Sequence, residues 1–269
     1  MKKSTVYTVT ALAAVLITGA IKLYTDRSVK LLERRVMSIL SRVLSDKEIF
    51  DEIYKNHSSW GSSEHSSGYG SVKKYAIPYL EYLQKFIDTM KPDSILDFGC
   101  GNWELMQHIV IPSHIQYLGV DVVDSVIQDN KDKYERDNIR FEAIEGTDDI
   151  KQHNGGLLIV KDVFECWDNN RIKYFLSNII QNFKHVIFAD YFDPSGARNN
   201  SANAVAGPAR EIDLEAPPFN LKCQDSKVYE INFNEKGQKW KMHKKITLWI
   251  NPSYKDEAKP GITQDGPLP

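Results

Sequence analysis

The sequence predicts an α/β fold built on a mostly parallel sheet. Three observations carry that expectation. Between residues 94 and 189, short apolar runs alternate with stretches of helical periodicity, as in a sheet covered by helices on both faces. The first run, Ser94–Phe98, is followed by Gly99-Cys100-Gly101, a turn whose glycines let backbone approach a ligand closely. Four carboxylates, Asp97, Asp121, Glu145 and Asp162, stand at the ends of successive runs. In a parallel sheet those C-terminal ends converge on one crevice.

The chain of 269 residues is long enough for one large α/β domain with appendages. At 42% hydrophobic residues it supports a sizeable core, and a formal charge of −2 argues against nucleic acid as the main partner. The three cysteines, Cys100, Cys166 and Cys223, form neither a metal-ligand spacing nor a disulfide framework. No metal is expected, and a reducing compartment fits best.

Residues 4–21 carry no charge. As a helix they would span about 27 Å, against about 30 Å for a bilayer's hydrocarbon core. They read as a single-pass membrane anchor within residues 1–25. A cleaved signal peptide competes, given Lys2 and Lys3 ahead of the run and small residues at Thr18 and Ala20. The basic residues that follow, among them Lys22, Arg27, Lys30, Arg34 and Arg35, place the body of the protein on the cytoplasmic side.

Residues 26–55 show an amphipathic stripe through Leu32, Val36, Ile39, Leu40, Val43, Ile49 and Ile53. They are expected to form stem helices that pack on the domain or pair with a second copy, with Ser45-Asp46 as an internal cap. Residues 56–71 break the pattern with serines and glycines. Trp60, His65 and Tyr69 are unusual in a plain linker and suit a lid over a ligand.

A helix is expected from Val72 to Met90, ended by Lys91-Pro92-Asp93. Strands follow at 94–98, 116–120, 139–144, 157–160 and 185–189. Helices are expected from about Trp103, at 123–136 and at 169–183. Residues 190–222 lack periodicity and are long enough to be a functional loop; Arg210 within it suits a clamp on an acidic acceptor group. Residues 228–233 and 240–250 read as an antiparallel hairpin. In its second strand Trp240, Met242, Ile246, Leu248 and Ile250 share one face, opposite Lys239, Lys241, His243 and Lys245. The tail, 251–269, is proline-rich and expected to be disordered.

The combination Asp97-Phe98-Gly99-Cys100-Gly101, Gly119-Val120-Asp121 and Ile159-Val160-Lys161-Asp162, in that order, resembles the class I S-adenosylmethionine (SAM)-dependent methyltransferases. With the flanking Trp60-Gly61-Ser62 and Ile212–Leu221 segments it is similar to a bacterial-type subgroup of mostly unassigned substrate. A dinucleotide-dependent dehydrogenase is disfavoured, since Glu104 stands where the third glycine of its fingerprint belongs.

The resemblance implies a Rossmann-like seven-stranded sheet over residues 56–250, with an antiparallel C-terminal hairpin. It implies SAM as cofactor, with Asp97, Gly99 and Gly101 at its methionine end, Asp121 on the ribose hydroxyls, Val122 and Glu145 by the adenine, and Asp162 at the amino group or the methyl-transfer crevice. For catalysis the candidates are Asp162, Asp190 and Tyr191; for the lid and acceptor they are Trp60, His65, Tyr69 and Arg210. The expected acceptor is a small molecule, glycan or lipid-linked substrate. The alternative is a catalytically silent, membrane-tethered binding module of the same fold. Two residues depart from the subgroup: Asn102 where an acid is common, and Cys166 where many members have histidine.

Overall fold

The computed structural model describes residues 45–56, 67–201, 210–235 and 238–254. The 4–21 segment, the first part of the expected stem, Trp60, His65 and the tail beyond Tyr254 lie outside them. Among the described residues no helix is long and apolar enough to cross a membrane.

Seven strands form one sheet: β1 Ser94–Phe98, β2 Gln116–Asp121, β3 Ile139–Ala143, β4 Gly155–Lys161, β5 Phe183–Phe192, β6 Asp225–Glu235 and β7 Gln238–Ile250. Their spatial order is β3-β2-β1-β4-β5-β7-β6. The first five are parallel. β7 pairs antiparallel with both β5 and β6. The order reverses between β1 and β4, where an open α/β sheet leaves a crevice at its C-terminal edge.

Alternation within each strand feeds two apolar layers. Ile95, Leu157, Ile159 and Ile187 pack on one face with α2 (Lys73–Met90), through its buried Tyr75, Tyr79, Leu83 and Ile87. Leu96, Phe98, Leu158, Val160 and Val186 pack on the other with α4 (Asn169–Asn178), through Ile172 and Phe175. The central strands are buried on both sides, hence their unbroken apolar sequence. α3 (Asp124–Tyr134) follows β2.

The stem stripe ends in α1, Asp46–Asn56. Its start is a reciprocal cap: Ser45 N–H donates to Glu48 Oε2 at 2.8 Å, and Glu48 N–H donates to Ser45 Oγ at 3.3 Å. α1 packs on the domain through Ile49 and Ile53, both buried.

One expected element is absent. The stretch after Gly101 forms only a short 3₁₀ turn, Met106–His108, in place of a helix from Trp103. Trp103 adopts φ 57°, outside the helical region. Its indole N–H donates to the Tyr117 hydroxyl at 2.8 Å. Val110 leaves the turn exposed, its N–H bonded to Gln84 Oε1 at 2.8 Å. The apolar spacing of Leu105, Met106 and Ile109 reflects burial by a tight coil rather than by a helix face.

Candidate active site

β1 delivers Asp97 and the glycine turn to the crevice. Gly99 and Gly101 adopt φ 75° and 55°, a region costly for any residue with a Cβ. A Cβ on Gly99 would lie 2.5 Å from Val163 Cγ2, and one on Gly101 would lie 2.8 Å from Ser67 Oγ. The turn is tied to β2: the N–H groups of Gly99 and Cys100 both donate to the Val120 carbonyl, at 2.8 and 3.0 Å.

Asp121 closes the same corner. Its carboxylate accepts from the N–H of Gly101 at 3.0 Å and of Val123 at 3.1 Å. Burial pushes its pKa up, and these backbone donors oppose the shift. Asp97 accepts from the Tyr117 hydroxyl at 2.6 Å. Burial raises its pKa to about 6, against the stabilising Tyr117 bond and the nearby Lys161 ammonium.

One cleft contains Asp97, Gly99, Gly101, Asp121, Val122 and Asp162. Its far wall includes Ile144, Val163 and Trp167, an apolar surface suited to a planar ring. Glu145 is not part of it. That side chain is exposed, and its neighbours Ile144 and Gly146 line the cleft instead.

α1 lies across the opening, contributing Asp46, Phe50 and Tyr54 to the lining. Lys47 Nζ donates to the Val122 carbonyl at 3.0 Å and pairs with Asp124 at 2.7 Å. Asp46 pairs with Arg171, whose guanidinium stacks 3.9 Å from the Trp167 ring centre. The described end of the expected lid, from Ser67 onward, clasps the glycine turn. Tyr54 and Ser67 share a hydrogen bond of 2.8 Å, and Asn102 N–H donates to Ser67 Oγ at 3.1 Å. The helix read as a stem is thus a wall of the cleft. Tyr69 turns away and packs edge-on against Phe233 and Trp240.

At the end of β4, Asp162 takes φ 60°, a region Asp tolerates better than most residues. Its carboxylate pairs with the ammonium groups of Lys161 and Lys244. Lys161 also donates to the Gly70 carbonyl at 3.1 Å. Lys244, on β7, is fully buried, with Glu165 Oε2 at 3.9 Å and the Tyr191 ring 4.2 Å beneath it. Burial and the Lys161 charge push its pKa down.

Asp190 and Tyr191 do not line this cleft. Asp190 is buried under the Phe164–Cys166 turn, accepting the Glu165 N–H at 3.3 Å. Tyr191 sits under Lys244. β5 runs on to Phe192 beside β7, so both residues are covered by the neighbouring strand and turn. Cys166 is buried, and burial raises its thiol pKa well above the usual value. Arg210 is no clamp. Its guanidinium is spent on main-chain carbonyls, with Nε and Nη2 on Trp167 at 3.0 and 2.6 Å and Nη1 on Ser201 at 3.1 Å. It ties the late loop to the start of α4.

Lys161, Lys244, Tyr54 and Tyr79 stand at or beside the cleft without having been candidates from the sequence. Lys244 left a signal: in strand alternation it shares the face of Trp240, Met242 and Ile246, where a solvated lysine does not belong.

No family model and no curated protein matches the chain. Solved structures do. One is the N-methyltransferase NodS from Bradyrhizobium japonicum WM9 in complex with S-adenosyl-L-homocysteine, with TM-score 0.52 and 13% identity over 78% of this chain and 100% of that one. Another, described by the conversion of a disulfide bond into a thioacetal group during echinomycin biosynthesis, has TM-score 0.52 and 14% identity over 75% of this chain and 91% of that one. The chain has the class I methyltransferase fold.

Proposed function

We propose that this chain is a SAM-dependent methyltransferase, and that SAM occupies the cleft between the glycine turn and α1. The observation that carries the reading is one corner: Asp97, the open Gly99-Cys100-Gly101 turn and Asp121 in a single cleft at the point where strand order reverses. Fold alone would not carry a function. The residues fit the group. The Gly99-Cys100-Gly101 turn lines the cleft together with Asp97 and Asp121, and the Tyr79 hydroxyl, buried at the cleft, has no hydrogen-bond partner among the described residues.

Asp97, Gly99 and Gly101 would hold the methionine end, Asp121 the ribose, and Val122 with Ile144 the adenine. When bound, SAM supplies an electrophilic methyl group. The chain supplies alignment and exclusion of water, through α1 and the Ser67–Ser71 segment. A structural neighbour crystallised with S-adenosylhomocysteine supports this choice of cofactor.

The acceptor is proposed to be a small molecule, glycan or lipid-linked compound. Residues 4–21 would tether the domain to a bilayer with its body on the cytoplasmic side. Thermal melts with SAM and S-adenosylhomocysteine test the cofactor; no shift with either at millimolar concentration rejects it. Carbonate extraction of full-length protein from membranes tests the tether; release into the supernatant at full length rejects it.

A further inference from the structure

At the floor of the cleft, Lys161 and Lys244 share the single carboxylate of Asp162. Lys161 lines the cleft with Asp162, whereas Lys244 is wholly buried behind them. One carboxylate does not satisfy two ammonium groups out of water, since each unbalanced buried charge is costly. The remaining neighbours of the two lysines are acids and phenols, with the Arg210 guanidinium beyond them acting on Asp190. Asp97 comes from β1, Glu165 from the turn after β4, Asp190 and Tyr191 from β5, Tyr229 from β6 and Tyr79 from α2. Glu165 and Asp190 are each at most 3% exposed. Burial raises Asp190 to about 7 and Glu165 well above the usual carboxylate range. The cluster is a set of coupled groups that exchange protons with one another.

We propose that Lys161 is the catalytic base of this site, taking the proton from a hydroxyl acceptor, and that Lys244 is a positioning residue acting through Asp162. The assignment rests on the methyltransferase reading and names its acceptor class. Lys161 is aimed by two fixed acceptors, the Gly70 carbonyl and Asp162. The Tyr79 hydroxyl, without a partner among the described residues, stands at the same cleft, with Lys161 Nζ 5.6 Å from its ring centre. Burial lowers Lys161 to about 8 while Glu165, Asp97 and Asp190 oppose the shift, in the range where a lysine works as a base. In the step, the acceptor O–H bond breaks and its proton ends on Lys161 Nζ. The oxygen keeps the electron pair and bonds to the methyl carbon. The carbon–sulfur pair leaves on sulfur, giving a neutral thioether.

The test is competitive acetylation of the full-length protein with trace acetic anhydride across pH 6–11, read lysine by lysine by mass spectrometry. Lys161 is expected to label with a midpoint near pH 8, below the ordinary range of exposed lysines. S-adenosylhomocysteine binding is measured on the same preparation by calorimetry. Loss of that binding would sink the cofactor reading and leave the labelling result to stand by itself. Lys244→Met, checked for folding by its melt, leaves Asp162 wholly to Lys161 and moves the Lys161 midpoint upward. A purely structural Lys244 would leave it unmoved, which overturns the positioning role. A Lys161 that labels like an exposed lysine, or is never labelled, overturns the base assignment, because a lysine no small reagent reaches cannot meet an acceptor.

Discussion

The backbone N–H of Gly101 donates to the carboxylate of Asp121 at 3.0 Å. This bond joins the turn after β1 to the end of β2 at one corner of the cleft. Asp121 is therefore a brace for the turn as well as the proposed ribose ligand. The same corner is clasped from outside by Ser67 and Tyr54.

Gly101→Ala tests the brace. Alanine at φ 55° costs about 1–2 kcal/mol, and its Cβ would displace Ser67 Oγ. Chemical denaturation is expected to show a loss of that order, and S-adenosylhomocysteine affinity is expected to fall with it. A variant as stable and as tight-binding as wild type would show that the turn has room to spare.

α1 is expected to gate release of the cofactor. Lys47 anchors it to Val122 and Asp124. The pair is partly exposed, so its loss is worth up to about 1 kcal/mol. Stopped-flow release of S-adenosylhomocysteine from Lys47→Ala should then be roughly two- to fivefold faster. An unchanged release rate would mean that α1 merely decorates the cleft.

Buried acids give the protein a pH signature. Asp190, raised from 3.8 to about 7, is more readily protonated folded than unfolded. Its contribution is complete below about pH 4 and is lost as pH rises through 7. Asp97, raised to about 6, acts in the same direction. Melts of the ligand-free protein should fall between pH 5 and 8. Asp190→Asn, which keeps an acceptor for the Glu165 N–H, should flatten that fall by an amount of order a few kcal/mol. A melt that rises over this interval in wild type would contradict the assignment.

Arg210 is expected to matter for stability and not for the acceptor. Arg210→Met removes its bonds to the Trp167 and Ser201 carbonyls. A loss of at least roughly 2 kcal/mol in urea is expected, since three bonds are lost and hydrogen bonds from charged groups are each worth about 1.5–3 kcal/mol. Wild-type stability in this variant would show that the late loop is held by other contacts.

The strands were legible because each is buried on one or both faces and carries its period openly: Ser94–Phe98 begins and ends where the apolar run does. The helix expected at Trp103 failed because its apolar spacing could be met by turns, and nothing local announced a left-handed tryptophan. That the glycine turn, Asp97 and Asp121 meet in one cleft was readable, since strand ends converge whatever the loops do. Asp190, Tyr191 and Arg210 were misjudged for one reason: nearness to a strand end does not reveal which neighbour covers a side chain. Lys244 was hidden by distance, more than 80 residues from Asp162, and only the sheet order brings them together.

The central claim is that the Asp97, glycine-turn and Asp121 corner holds the SAM nucleoside. Isothermal titration of S-adenosylhomocysteine into wild-type protein and Asp121→Ala tests it most directly. Saturable binding at one site per chain is expected in wild type. In the variant a loss of roughly 10- to 100-fold is expected, the equivalent of charge-assisted hydrogen bonds worth about 1.5–3 kcal/mol. No binding to wild type, or equal affinity in a folded Asp121→Ala, would contradict the claim.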